Sequence, residues 1–338
     1  MTRLSNVVDA IENAVESDKN IAVYGDYDAD GLFALMIFKD TFREIEYPNV
    51  FLYEYSNRTH EIDFNFLNFC LARQINFAII CDTGSNDMEI LEKFCAYGIE
   101  CVVLDHHRTT ATYADFPQGM SVQNVQIDLE QYGVNNQMRG AGLAFVTAAT
   151  FMEKIGHQFD IGYFATYALI AQYADAIPMD TEFGRYLYEA AQGAKTIPPT
   201  INYFLDDNFA VTRRFAEYVL APKINAVFRR EQFSLVNGLF LLDSPDVFML
   251  VNQIKELHFS TIKTVEKILD EIQFEDLNGI LVANLSPFLT AGYPRNFIVN
   301  HKGRIATSLA TAYGKPCVCV CDNGKWIEGS FRDIVEAK

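Results

Sequence analysis

Three apolar runs in the first third of the chain each end in acidic residues. "NIAVYG" (20–25) leads into Asp26, Asp28 and Asp30 of "DYDADG", "INFAIICD" (75–82) ends on Asp82, and "IECVVLDHH" (99–107) ends on Asp105, His106 and His107. Each run reads as a buried strand. Helical patterns intervene: "LFALMIFKDTF" after Gly31 is apolar nearly all round, and "DMEILEKFCAYG" (87–98) closes on glycine. "NVFLYEY" (49–55) adds a further strand. Strands alternating with helices predict a parallel sheet with right-handed crossovers, and parallel strands bring their C-terminal ends to one edge. The acids therefore converge.

Carboxylates crowded on one edge raise one another's pKa unless positive charge sits among them. Divalent cations supply it. Oxygen ligands with one or two imidazoles suit manganese, magnesium or zinc, and ions that share carboxylates in two-metal hydrolases stand about 3.5–4 Å apart. Asp175, near the end of an apolar helical run at 163–180 and just before Pro178, joins the set. Taken singly, "DYDADG" also reads as a helix-capping turn and Asp175 as an ordinary helix-end acid. Neighbouring strand residues point to opposite faces, so only part of "DHH" is expected to serve one site. Together, on one sheet edge, they read as a metal cradle.

The 338 residues suffice for two domains, and half are hydrophobic, which predicts packed cores. No apolar run approaches the roughly 20 residues that span a bilayer, and the N-terminus lacks a signal-peptide pattern. A soluble, cytoplasmic protein without membrane association is expected. Among the seven cysteines, Cys317, Cys319 and Cys321 alternate in "CVCVC", which places three buried thiols on one strand face and does not match zinc-ligand spacing. A net charge of -17 argues against a broad basic surface for nucleic acid, though metal ions and a few arginines still hold phosphates.

Helices are predicted at 4–15 and 139–156, and one long helix at 244–272 with Ser244 as N-cap and Pro245 at its first position. Prolines and glycines at 193–203 mark a boundary. From about 277 the short strands "NGILVANL", "RNFIVNH" and "PCVCVCDN", with the helix "RIATSLATAYG", predict a smaller α/β unit.

"DYDADG", "CDTGSND", "LDHH" and "QYADAIPMD", in that order, resemble the four motifs of the DHH phosphoesterase superfamily, most closely its RecJ-like single-strand exonucleases. The resemblance implies an α/β fold: a parallel-sheet catalytic domain at 1–195, a helical linker region at 196–272, and a small DHH-associated substrate-binding domain at 273–338, with the active site in the cleft between domains. It implies that Asp28, Asp30, Asp82, His106 and Asp175 ligate two divalent cations, Mn2+ foremost and Mg2+ as the alternative. Asp82 would bridge the ions, Asp26 would add a ligand or support one, Asp105 would orient its neighbours and His107 would face the scissile phosphate. Other branches of the superfamily carry a histidine where Tyr24 stands here, so the chain follows the nuclease-like branch.

By the same resemblance Arg58, Ser330 and Arg332 hold a terminal 5′ phosphate. Arg229 reaches the backbone from "LAPKINAVFRR", and Asn225 holds that segment. Arginine suits the task because its planar fork binds phosphate oxygens bidentately. The chain departs from the family where Phe331 replaces a glycine between Ser330 and Arg332. It also ends six residues past Arg332, without the usual Gly-Gly-His element or an oligonucleotide-binding barrel. The expected activity is hydrolysis of single-stranded DNA, with RNA as a further substrate, from the 5′ end, in DNA repair or recombination. A protein partner would aid recruitment. The alternatives are a nano-RNase or a phosphodiesterase of small or cyclic nucleotides, and a non-catalytic replication or repair scaffold.

Overall fold

The computed structural model describes residues 2–56, 61–132, 137–175, 177–205, 211–322 and 327–333. Strands β1 (Ile21–Gly25), β2 (Val50–Leu52), β3 (Phe77–Cys81), β4 (Glu100–Asp105) and β5 (Ser121–Asn124) form a sheet in the order β2-β1-β3-β4-β5, with every pairing parallel. Helix α1 (Thr2–Glu16) precedes it. The crossovers are α2 (Ala29–Glu44) between β1 and β2, α3 (Phe64–Ala72) between β2 and β3, and α4 (Met88–Ala96) between β3 and β4. After β5 follow α5 (Val125–Tyr132), α6 (Gly140–Lys154), α7 (Ile161–Ala174), α8 (Glu182–Gln192) and α9 (Pro199–Asn202).

Every residue of β1 and β3 is buried, as central strands of a sheet covered on both faces must be. Helix α2 packs against both α6 and α7, which explains why its sequence is apolar nearly all round. The chain leaves β1 outward to β2 and then crosses back to β3 on the other side of β1. The C-terminal ends of β1 and β3 therefore frame the switch point of the sheet, where open α/β folds place their ligands.

Two glycines set the turn at that point. A Cβ on Gly25 would stand 2.3 Å from the carbonyl oxygen of Gly31, and one on Gly31 would stand 2.4 Å from the amide nitrogen of Asp26. Only bare Cα atoms let α2 start this close to the end of β1, and the intervening aspartates are held in a tight loop.

The helices α10 (Ala221–Arg229), α11 (Phe233–Val236) and α12 (Val247–Glu271) follow, with π-helical segments at Phe215–Leu220 and Asn237–Leu241. Two compact units divide the chain: Met1–Asn225 with Phe233–Val251, and Ala226–Gln232 with Asn252–Lys338. The second holds β6 (Phe274–Leu277), β7 (Ile280–Asn284), α13 (Ser286–Thr290), α14 (Arg295–Tyr313), β8 (Cys317–Asp322) and β9 (Ile327–Arg332). Its sheet runs β6-β7-β8-β9, with β7 and β8 parallel and the outer pairs antiparallel. Cys317, Cys319 and Cys321 are all fully buried, free, and part of one core with Ile298, Ile305 and Leu309 of α14.

Several predicted elements differ from the structure. "RNFIVNH" is the first two turns of α14 and not a strand: Phe297, Ile298, His301, Ile305 and Leu309 are the buried positions, a helical spacing continuous with the predicted helix that follows. The strand at 49–55 shortens to Val50–Leu52, and β5 has no counterpart in the sequence reading. The long helix starts at Val247 instead of beside Ser244, whose Oγ accepts from the Asp246 amide in the preceding turn. Among the described residues no helix is long and apolar enough to cross a membrane.

Candidate metal centre

Gly25 and Cys81 are paired neighbours at the ends of β1 and β3, so the residues after them emerge side by side. Asp26 donates its amide to the Cys81 carbonyl, and Asp82 donates its own to the Leu104 carbonyl at 2.7 Å. Asp82 has φ +63°, the left-handed region that a β-carbon disfavours, and an aspartate there is a strained residue at a strand end. Ligand atoms of Asp26, Asp28 and Asp82 lie within 4.8 Å of one another; so do those of Asp82, His106 and His107, and those of Asp30, His106 and Asp175.

Asp28 serves a helix terminus. It is the N-cap of α2, its Oδ1 accepting from the amides of Asp30 and Gly31 at 2.9 and 3.1 Å. The turn that caps α2 is built from the same residues that the first acidic motif offers as ligand candidates. Asp30 is bound differently: its two oxygens accept from Gly140 and Ala141, each at 2.8 Å, so the first turn of α6 grips the carboxylate.

His106 and His107 lie past the end of β4, and the strand alternation expected to separate them does not apply. Their rings stack with centroids 4.5 Å apart on the same side. Asp105 Oδ1 anchors this turn, accepting from the amides of His106 and His107 and from His107 Nδ1 at 2.8 Å, while Oδ2 accepts from the Ser85 amide.

Burial comes first among the causes that push Asp82 well above the usual carboxylate range, followed by the charges of Asp30, Asp28 and Asp26. Burial and then Asp30 raise Asp28, against the two cap hydrogen bonds. Desolvation in the crowded site, then Asp30 and Asp28, push Asp175 up to about 7 although 37% of its side chain is exposed. Burial also works to raise Asp105, but the hydrogen bonds from His107 and Ser85 outweigh it and hold this carboxyl low. His107, hydrogen-bonded to Asp105, is pushed up to about 9, whereas burial brings His106 down to about 4. The Asp105 contact thus favours the protonated form of His107, and burial the neutral form of His106.

The donor set fits a divalent ion. It offers carboxylates and imidazole without thiolate, which suits Mn2+ or Mg2+. Asp82 Oδ1 is buried without a hydrogen bond even though His106 Nε2 stands 2.9 Å away. Two neighbouring ligand atoms around an octahedral ion with bonds of about 2.1 Å are separated by about 3 Å, a value close to this spacing.

Sequence reasoning missed four contributors. Arg139 places Nη1 2.8 Å from His106 Nδ1 and Nε 3.2 Å from Asp175 Oδ2. Gly140 lies directly against Asp82, where a Cβ would meet the Asp82 Cβ at 2.5 Å. Ser85 and Asn124 are fully buried, and Asn124 Nδ2 donates to Ser85 Oγ at 2.7 Å and to the His107 carbonyl at 3.1 Å. The small residues of "RGAG" signal a close helix start, but nothing in the sequence signals Asn124.

Of the predicted phosphate-binding residues, Asn225 accepts from the Ala29 amide at the start of α2, beside the first acidic motif. Arg229 belongs to the second unit, where its carbonyl accepts from Asn300. Ser330 and Arg332 extend from one face of β9 over Gly303 of α14, with Ser330 Oγ and Arg332 Nη2 3.2 and 2.7 Å from where a Cβ on that glycine would stand. Phe331 is on the opposite face of the strand and 53% exposed, so it does not narrow the space between its neighbours. Arg58 lies outside the described residues.

Residues 20–178, just under half of the chain, match the DHH family, N-terminal domain. It is 24% identical over 356 residues to the single-stranded-DNA-specific exonuclease RecJ of Bacillus subtilis (strain 168), an alignment covering 99% of this chain and 42% of that protein. The chain thus matches less than half the length of this curated relative. Its fold is similar to a manganese-bound exonuclease RecJ, with a TM-score of 0.76, 18% identity, and coverage of 98% of this chain and 82% of the other. It is also similar to RecJ of Thermus thermophilus in complex with Mn2+, with a TM-score of 0.78, 20% identity, and coverage of 99% and 48%.

Proposed function

We propose that this chain is a metal-dependent phosphodiester hydrolase, a RecJ-like exonuclease that degrades single-stranded DNA, and RNA as a further substrate, from the 5′ end. The observation that carries the reading is the gathering of Asp26, Asp28 and Asp82 at the switch point of the sheet, with a buried Asp82 oxygen that lacks a hydrogen bond. The solved relative bound to manganese and the curated relative's named activity support the metal and the substrate class.

Asp26, Asp28, Asp30, Asp82, His106 and Asp175 would hold two divalent ions, Mn2+ or Mg2+, with Asp82 shared. When bound, such ions supply a water of lowered pKa and positive charge opposite the phosphoryl oxygens. The protein's own groups do the rest. Asp105 fixes the His107 ring through Nδ1, so the cationic ring presents Nε2–H as its other donor, suited to a non-bridging phosphate oxygen. Arg58, Ser330 and Arg332 would take a terminal 5′ phosphate, Arg229 a backbone phosphate, and Asn225 holds α10 against the first acidic loop.

The test is manganese-dependent digestion of a 3′-labelled single strand carrying a 5′ phosphate or a 5′ hydroxyl, with Asp82→Ala as control. Stepwise shortening that prefers the phosphate and vanishes in the variant is the expected result; no shortening of either strand sinks the exonuclease reading. The net charge of -17 favours one second reading, hydrolysis of dinucleotides or other small nucleotides, because an acidic surface grips long strands weakly. Faster turnover of a dinucleotide than of a five-nucleotide strand would select it. A partner protein would offset the same weak grip, whereas unchanged biological activity after alanine at both Asp82 and His106 would point to a scaffold.

A further inference from the structure

Arg139 is the one basic side chain that the described contacts place against two of the metal-ligand candidates at once. Its Nη1 meets His106 Nδ1 at 2.8 Å, and its Nε stands 3.2 Å from Asp175 Oδ2. A guanidinium has only N–H donors and no acceptor, and it keeps its charge at every pH a protein survives. The contact with His106 therefore has one chemical sense: Arg139 donates, and Nδ1 accepts through its lone pair. A neutral imidazole that accepts at Nδ1 carries its proton on Nε2. That nitrogen faces Asp82 Oδ1 at 2.9 Å and Asp30 Oδ2 at 3.5 Å, the carboxylates of the metal cradle. For Nε2 to offer a lone pair to a cation the proton must move to Nδ1, and Nδ1–H cannot accept from Arg139. The contact seen here and ligation through Nε2 exclude each other.

We propose that Arg139 is a built-in rival of the divalent ion: it holds His106 in the tautomer that cannot ligate and occupies Asp175, and the ion binds at His106 and Asp175 only when the side chain gives up both contacts. This rests on the metal-binding part of the functional reading.

The surroundings allow the exchange. The backbone of Arg139 is pinned, its amide donating to Gln172 Oε1 at 3.1 Å, and Gln172 in turn donates to the Gln137 carbonyl. Gly140 and Ala141 next to it are tied to Asp30. Only the side chain needs to move, and it is 26% exposed, so a path to solvent is open. The carboxylates would then trade a single charge for a double one. In the metal-poor protein the arginine lessens the mutual repulsion of Asp175, Asp30 and Asp28, at the cost of metal affinity.

Two measurements on the full chain test this. Histidine ring 15N–1H correlation spectra of EDTA-stripped protein are expected to place the His106 proton on Nε2, and saturating Mg2+ to move it to Nδ1. Calorimetric titration with Mn2+ is expected to show tighter binding at the weaker position in Arg139→Ala, on the order of 10- to 100-fold, the equilibrium equivalent of one charge-assisted hydrogen bond. Arg139→Met, which keeps the length of the side chain, replaces the alanine variant should that one not fold. A proton on Nδ1 in the stripped protein, or Mn2+ binding no tighter in the variants, overturns the proposal while leaving the metal reading intact. Absence of Mn2+ binding in wild type and variants alike overturns the metal reading, and this proposal with it.

Discussion

Gly140 is pressed so close to Asp82 that a methyl group on its Cα would stand 2.5 Å from the Asp82 Cβ and 2.7 Å from its Oδ1. Both partners are tied down, Gly140 by the hydrogen bond its amide donates to Asp30 and Asp82 by the one its amide donates to the Leu104 carbonyl. Gly140→Ala therefore displaces the carboxylate that the other motifs surround. Overpacking at such a point costs about 1–3 kcal/mol, and disturbing a ligand's support costs about 10- to 100-fold in metal affinity. Chemical denaturation and Mn2+ titration of the same variant check both; an alanine that leaves Mn2+ affinity unchanged would show that Asp82 does not ligate from this position.

Asn124 spends its whole side chain on the site's support. Oδ1 accepts from the amides of Gln126 and Ile127 at the start of α5, while Nδ2 donates to Ser85 Oγ and to the His107 carbonyl. Asn124→Ala removes a helix cap and leaves buried polar groups without partners, a loss of about 2–4 kcal/mol. Asn124→Asp keeps the accepting half and recovers part of it. Urea unfolding of the three proteins ranks them; equal stability of all three would mean that the network carries no weight.

The second unit contains a pH-sensitive group remote in sequence from the acidic motifs. The ring of His301 is fully buried, stacks on Phe297 at 4.2 Å and donates Nδ1–H to the Phe297 carbonyl at 2.7 Å. Burial, aided by the charges of Arg229, Arg304 and Arg230, lowers its pKa to about 4. The unfolded chain takes up a proton near pH 6.5 while the folded chain refuses it. Stability from this group is complete above that pH and is lost as pH falls toward the folded value, by roughly 2–3 kcal/mol at pH 4.5. Wild type is expected to lose that much more than His301→Leu between pH 7 and pH 4.5 in urea unfolding; parallel losses would clear His301 as the source.

Gly303 is an interior residue of α14 lying under Ser330 and Arg332. The Arg332 guanidinium is the far end of a flexible, exposed side chain, so it yields to a new methyl group. Gly303→Ala is expected to stabilise the helix by about 0.5–1 kcal/mol and to reduce discrimination between 5′-phosphorylated and 5′-hydroxyl strands several-fold. Thermal unfolding and paired digestion assays read the two effects. Undiminished discrimination would separate Arg332 from recognition of the terminal phosphate.

The acidic motifs were legible because each ends an apolar run, and parallel pairing forces such ends to one edge. Asp26, Asp28, Asp30, Asp82, Asp105 and the two histidines after it could be placed on that edge from chain order, while strand period was expected to split the "DHH" residues between faces. The same rule failed for "DHH", because the strand stops at Asp105 and alternation stops with it. It failed again at "RNFIVNH", where a short apolar run fits either period and the continuing buried face of α14 decides. What only tertiary structure decided are contacts between residues far apart in the chain: Gly140 against Asp82, Asn124 holding His107, Arg139 facing His106 and Asp175. No local propensity encodes them. A glycine, an asparagine and an arginine have no preferred partner until the packing of α6 against the sheet and the pairing of β5 with β4 fix what lies within reach.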